Sequence, residues 1–485
     1  MDCQLPSWVQ LCKFVSCLRF AVGLAAAVVV YSPAVAQPPD VPASDTQPTR
    51  IEADLYSQLA RMQQQIDELK NVSAAPAPIY DFAPMPHCEP KPEKPKFPTV
   101  RLTGFFQADA VYFDQDATNI AAVGDAQDGA DFRRARLAAV GQAWDNVSYQ
   151  LEMDFAFPGR PNFMDVWLDV DDVIGSNNLR IGQFRQPFGM DGLTSVKEMT
   201  FLERGLPFAF LPFRQIGAAL YGNHKDELAT WAISAFRYPT DVYGGNVGDN
   251  GGYGMATRLT GLMINNDDGN GLVHVGGGFS FIDPANDKFQ FRNQPEVFVG
   301  EDGGGVLAGT NPKLAPFADT GEIDARNASL FSAELAGSCG SFYAQSEAIY
   351  AQVDQLAGPM LSFSGAYAYC GYFLTGEKRP YNGKAGVFGT VTPTKSVGKE
   401  GGIGAWEVAT RYSHVDLSDK NINGGRLNNI TAGLNWYLNP HTKFQFNYIY
   451  SMLNAQAGAG PVPVSAAGVG DSEAGIYAMR AQVDF

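Results

Sequence analysis

The chain has 485 residues, of which 45% are hydrophobic, 12% aromatic and 18% charged, with 35 Lys and Arg against 51 Asp and Glu for a formal net charge of −16. So acidic a chain disfavours nucleic acid as a partner. Three of the six cysteines fall in the first 36 residues, and the remaining Cys88, Cys339 and Cys370 show no CxxC spacing, which indicates neither a disulfide framework nor a metal site; no cofactor is expected.

In chain order, residues 1–36 read as a secretory signal peptide: Lys13 and Arg19 precede the apolar run from Phe20 to Tyr31, and Ala34-Val35-Ala36 forms a small-residue cleavage site. Losing Lys13, Arg19 and Asp2 with it takes the net charge from −16 to −17. The run is far shorter than the ~20 residues of a spanning helix, so no helical membrane span is expected. Within 51–70, Leu55, Leu59, Met62, Ile66 and Leu69 follow a 4-3-4-3 spacing that predicts a short periplasmic coiled coil. So few turns are marginal alone, and the seam is expected to pair with copies of itself, a docking helix being the alternative. Residues 71–99 carry Pro76, Pro78, Pro84, Pro86, Pro90, Pro92, Pro95 and Pro98, a proline-rich linker and extended spacer.

From residue 100 to 485 the pattern changes to short alternating segments. The final one shows the logic: Tyr477, Met479, Ala481, Val483 and Phe485 share one face, and Ala478, Arg480, Gln482 and Asp484 the other. Apolar outward and polar inward is the alternation of a transmembrane barrel. Strands are predicted near 100–113, 131–143, 146–157, 162–171, 178–185, 215–222, 227–237, 252–263, 271–283, 328–337, 341–353, 361–375, 401–415, 427–438, 442–454 and 474–485. The fold class is therefore all-β, a transmembrane antiparallel barrel of about sixteen strands. With a periplasmic amino end, short turns alternate with long external loops. One connection breaks this rule: 376–400 is long yet periplasmic, and is expected to fold into the pore or pack beneath it.

Alternation also nominates wall cations. Arg134 and Arg136 share the face opposite Ala135, Leu137 and Ala139, and the same argument turns Arg258, Arg411 and Arg480 inward. Two readings stand for each, direct ion contact or pairing with wall carboxylates such as Glu152, Asp154, Asp165 and Asp169. The loop 186–214 brings Lys197, Arg204 and Arg214, with Arg185 at its base, against Asp191, Glu198 and Glu203. The 376–400 connection is basic, with Lys378, Arg379, Lys384, Lys395 and Lys399 against Glu377 and Glu400. Acidic residues, among them Asp114, Asp116, Glu296, Glu301, Asp319 and Glu322, are expected on the external loops.

Several strings resemble a known family. Ile181-Gly182-Gln183-Phe184-Arg185-Gln186-Pro187-Phe188-Gly189, Leu193-Thr194-Ser195 and Thr200-Phe201-Leu202-Glu203-Arg204-Gly205-Leu206-Pro207 look like the strand and third external loop of the phosphate-selective porin O and P family. So do Asp131-Phe132-Arg133-Arg134-Ala135-Arg136-Leu137, Leu374-Thr375-Gly376-Glu377, Gly404-Ala405-Trp406-Glu407-Val408-Ala409-Thr410-Arg411-Tyr412-Ser413 and Gly433-Leu434-Asn435-Trp436-Tyr437-Leu438-Asn439-Pro440, in order from about residue 100 to the end. The resemblance implies a homotrimeric outer-membrane porin, surrounded by lipid and lipopolysaccharide. Small ions and solutes, anions such as phosphate or pyrophosphate, would diffuse passively past an inward third loop. It favours Arg185 and Arg204 at the constriction; the other reading has Glu203 and Arg204 pinning the loop to the wall.

The competing class is a barrel-anchored adhesin or cell-wall attachment protein, with the amino-terminal helix touching the cell wall. Catalysis finds little support: Ser413-His414 would point to opposite faces of a strand, and neither G-x-S-x-G nor HExxH occurs.

Overall fold

The structure, a computed structural model, describes residues 50–73, 96–156, 161–241, 243–266, 271–300, 314–398, 401–455 and 468–485. The expected signal peptide and residues 74–95 of the linker lie outside the described residues, as does Lys399. Residues up to Lys94 and those from Pro95 form two separate units. In the first, α1 (Arg50–Ser73) contains the expected seam, and Leu59, Met62 and Ile66 are exposed on it. Large apolar side chains in water on successive turns are the condition under which a helix gains by association.

The second unit is a closed barrel of sixteen antiparallel strands: β1 (Arg101–Gln115), β2 (Gly129–Trp144), β3 (Val147–Asp154), β4 (Asn162–Ile174), β5 (Asn177–Arg185), β6 (Arg214–Asn223), β7 (Ala229–Arg237), β8 (Tyr253–Asn265), β9 (Leu272–Asp283), β10 (Ile323–Cys339), β11 (Phe342–Gln355), β12 (Leu361–Phe373), β13 (Ala405–Asp419), β14 (Ile422–Asn439), β15 (Thr442–Ala455) and β16 (Gly470–Asp484). Each pairs with its sequence neighbour, and β1 pairs with β16 from Phe105↔Asp484 to Gln115↔Ala474, leaving no open edge. The seam ends in Phe485, whose backbone exchanges hydrogen bonds with Gly104 at 2.9 and 3.0 Å.

At one end of the barrel, four connections have only two residues: Asp145-Asn146, Gly175-Ser176, Gly340-Ser341 and Pro440-His441. Gly175 and Gly340 take φ of +62° and +58°, which these tight turns require and a side chain would resist. The opposite end carries the long loops 116–128, 186–213 and 284–322. The expected alternation fails at 356–360 and at Lys420-Asn421, where short connections occupy the loop end. The reason is strand length: β13 and β14 run to Asp419 and from Ile422, several residues past their expected limits.

Outward faces are apolar, with aromatic rows at two levels. Trp406 stacks on Trp436 at 5.1 Å near the turn end, and Tyr477 lies 6.1 Å from Tyr112 and 4.9 Å from Tyr448 nearer the loops. Such belts sit at the two lipid interfaces.

The inward face is less polar than the alternation predicts. Phe113, Phe236, Ile282, Phe363, Leu427 and Ile449 point into the lumen and are buried. Their partners come from the loops: Leu202, Leu206 and Phe210 from 186–213, and Phe289, Phe291, Val297 and Phe317 from 284–322. Two inserted loops thus give the barrel an apolar core that a single strand's pattern cannot reveal. Glu296 and Asp319, expected on the outer surface, are buried with them.

A Cβ at Gly104 would clash with the Arg136 carbonyl and come within 2.9 Å of the Phe485 ring. Gly104→Leu should therefore impair closure of the β1–β16 seam, at a cost of about 1–3 kcal/mol for overpacking. The measurement is the fraction of purified protein that keeps the compact, heat-modifiable gel mobility, which should fall.

Candidate functional site

The loop 186–213 leaves the wall at Arg185 and returns at Arg214, residues that pair across β5 and β6. The Gln186 amide donates to the Phe213 carbonyl at 2.7 Å, closing the neck of the loop. Phe213 adopts φ +52°, a left-handed conformation that costs a bulky residue roughly 1–2 kcal/mol. It holds its ring against Arg204 and Arg214, with guanidinium-to-centroid distances of 5.0 and 4.8 Å.

Glu203 anchors the loop. Its carboxylate accepts from Arg133 at 3.0 Å, from Arg134 at 2.8 Å and from Arg480 at 2.8 Å. Arg133 and Arg134 are consecutive, so strict alternation would send one of them into lipid. A β-bulge opposite Gln107 and Ala108 lets both turn inward. Arg480 also binds Asp109 at 2.6 Å and the Leu202 carbonyl. Burial by itself would raise the Glu203 carboxyl, but Arg133, Arg134 and Arg480 hold it well below its ordinary value of 4.5. Arg411 extends the clamp, donating to the Glu203 carbonyl at 2.9 Å and to Glu296 at 2.6 Å, while Glu296 accepts the Leu206 amide at 3.1 Å.

Arg204 lies within the loop, donating to the carbonyls of Asp191 and Thr194, each at 2.7 Å. It braces the loop internally, while the bonds to the wall are made by Glu203. Arg185 has two roles: it bonds the carbonyls of Leu193 and Thr194 at 2.7 and 3.0 Å and lines an open cavity. Wall pairing is general, with Arg136 on Asp154 at 2.8 Å, Arg214 on Asp165 at 2.9 Å and Arg258 on Glu334 at 2.7 Å.

The long connection between β12 and β13 enters the lumen. Its hairpin, Tyr381–Asn382 against Val387–Phe388, presents the carbonyls of Ala385 and Gly386 to Arg258 at 3.0 and 2.8 Å, and Tyr381 reaches buried His274 at 2.7 Å. Arg379 is buried and bonds the Glu198 carbonyl of the 186–213 loop. Lys384, at the hairpin tip, lies 3.8 Å from Glu227 and lines the turn-end cavity. Lys378 and Lys395 are exposed and outside that cavity.

Two cavities lie between the loops and the β1–β8 wall. A turn-end cavity of about 550 Å³ and a loop-end cavity of about 310 Å³ adjoin, sharing Arg136, Val196 and Arg214 in their linings. The larger cavity is lined by eight cations, Arg101, Arg136, Arg180, Arg185, Lys197, Arg214, Arg258 and Lys384, and two carboxylates, Glu152 and Asp165. Sequence reading overlooked Arg101, Arg180 and Arg133. The first two sit opposite Leu102 and Ile181 in the alternation and were accessible to it; Arg133 depends on the bulge. Ser413 and His414 do face opposite ways, Ser413 accepting the Leu206 amide at 2.8 Å inside and His414 meeting Asn428 at 2.8 Å.

A lipid-compatible closed barrel with an inward loop and charge-lined internal cavities is a porin of the bacterial outer membrane. The chain belongs to the phosphate-selective porin O and P family, whose model matches residues 100–485. It is 27% identical to Porin O of Pseudomonas aeruginosa over 376 residues, covering 72% of this chain and 82% of that protein. An uncharacterized protein of Caulobacter vibrioides is 26% identical over 506 residues, covering 96% of each. Among solved structures, the chain is similar to OmpT of Vibrio cholerae in its trimer form (12% identity, TM-score 0.46, 80% of this chain and 99% of that one). It is likewise similar to an anion-selective porin from Comamonas acidovorans (12%, 0.45, 80% and 99%).

Glu203→Gln leaves Arg133 and the buried Arg134 and Arg480 short of counter-charge, and removing one partner of a buried pair costs about 3 kcal/mol or more. The variant should unfold at lower urea concentration and show a noisier open-channel current. Because the native carboxyl is held low, its contribution is complete above the ordinary value of 4.5 and is lost as pH falls through the lowered one. The stability difference between the two proteins should therefore shrink in acid.

Proposed function

We propose that this porin passes small anions, phosphate or pyrophosphate among them, by passive diffusion, and that the turn end faces the periplasm. The observation that carries the reading is the lining of the larger cavity, eight cations against two carboxylates. The carboxylates paired with Arg180 and Arg258 are Asp169 and Glu334, both buried behind the cavity lining. The cations of the lining that an ion in the path would meet are the more exposed ones, Arg101, Arg180, Arg185, Lys197 and Lys384. The net charge of −16 on the whole chain does not oppose this, since exposed acidic groups beyond about 8 Å are screened at physiological salt.

An anion entering from the loop end would pass Arg133, Arg134 and Arg204, squeeze past Arg136 and Arg214, and leave by Lys197, Arg101 and Lys384. Arginine where the two cavities adjoin offers a planar fork to oxyanions. The barrel is proposed to work as a homotrimer, its copies joined through the 51–70 seam, with lipid and lipopolysaccharide around it.

Under a chloride gradient in a planar bilayer, the reversal potential should have the sign of anion preference. Replacing Arg101, Lys197 and Lys384 together with Gln should move it toward cation preference, most at low salt. No movement at any ionic strength would remove these residues from the ion path. Separately, deleting residues 51–70 should lower the proportion of trimer in mild detergent while leaving a β-rich, heat-modifiable barrel.

A further inference from the structure

An inorganic oxyanion needs donors, and has no use for rings. Yet the loop-end cavity is lined by Phe163, Phe208, Phe213 and Phe298, all half-buried, along with its arginines. Guanidinium and ring alternate there: Arg133 lies 4.4 Å from the Phe298 centroid, and Arg204 5.1 Å from Phe208 and 5.0 Å from Phe213. The pattern continues in the turn-end cavity, where Arg180 lies 4.1 Å from the Trp167 ring. Packing alone would bury these rings; here they border open space. Phe213 reaches its place through a left-handed backbone that glycine would adopt without strain, so the ring is kept where a smaller residue would be easier to hold.

We infer that the pathway also takes aromatic anions, a phosphate ester or carboxylate carried on a single ring. The inference rests on the anion-channel reading above and names a substrate class for the same path. The charged head would bond the guanidinium edges while the arene lies against a phenylalanine ring or a guanidinium plane, both of which accept stacking. A cavity of about 310 Å³ lies at the lower end of small-molecule sites, which suits one ring and one head group.

The test uses the full-length protein in planar bilayers and reads the concentration of added phosphate compound that halves the chloride current. Inorganic phosphate, methyl phosphate and phenyl phosphate share a head group and differ in the ring. Phenyl phosphate should half-block at a concentration at least fivefold lower than methyl phosphate. Phe298→Leu and Phe213→Leu should each reduce that ratio to under twofold, whereas a disturbance of the arginines they pack against would move methyl and phenyl phosphate alike and leave the ratio standing. Should Phe213→Leu fail to assemble, Phe298→Leu and Phe208→Leu carry the comparison. Equal block by phenyl and methyl phosphate in the unaltered channel would overturn the inference while leaving the anion channel intact. A phenyl preference that all ring variants retain would overturn the assigned site. Absence of block by all three compounds, with no anion preference in the reversal potential, would overturn both readings together.

Discussion

One carboxylate, Glu203, fixes the inserted loop to the wall of the barrel. Three guanidinium groups from two regions of the wall converge on it, Arg133 and Arg134 from β2 and Arg480 from β16. These strands flank β1 on either side, so the clamp ties the tip of the inserted loop to the place where the barrel closes. Buried charges of this kind are costly to bring together and far costlier to separate. With the loop fixed there, its apolar side, Leu202, Leu206 and Phe210, turns toward the β10–β16 half and recruits the second loop. Beside the first loop, a cavity along the β1–β8 wall stays open, and its lining is rich in cations.

The barrel itself was legible because its signal is local. Period-two alternation repeats in each strand, and all sixteen predicted strands occur. The same alternation placed Arg134, Arg136, Arg258, Arg411 and Arg480 inside. What it could not supply was the partner of each. Arg411 and Arg480 hold loops, and Arg258 holds the hairpin of the long turn, through carbonyls and carboxylates more than a hundred residues away in sequence for most of these contacts. Loop insertion is a tertiary event, and its traces in sequence, Phe289, Phe291, Val297 and Phe317, look like ordinary loop hydrophobics until a lumen is available to receive them.

Arg133 marks a different limit. A bulge shifts register by one residue, and every inference from parity changes sign on crossing it. The pair Arg133-Arg134 was visible as a doublet, but nothing in a single strand says that both members face the same way. Arg204 marks a third: its charge and position in a loop motif were plain, while its use on the carbonyls of Asp191 and Thr194 is a property of the loop's own turns.

Arg411 touches both inserted loops at once, the backbone of Glu203 in one and the carboxylate of Glu296 in the other, and Glu296 in turn receives the amide of Leu206 from the first. Neither loop can withdraw without stripping the other of a buried partner. Their displacement from the lumen is therefore a single cooperative event, so that thermal fluctuation samples the fully seated arrangement or a wholly released one and gives partial openings little weight.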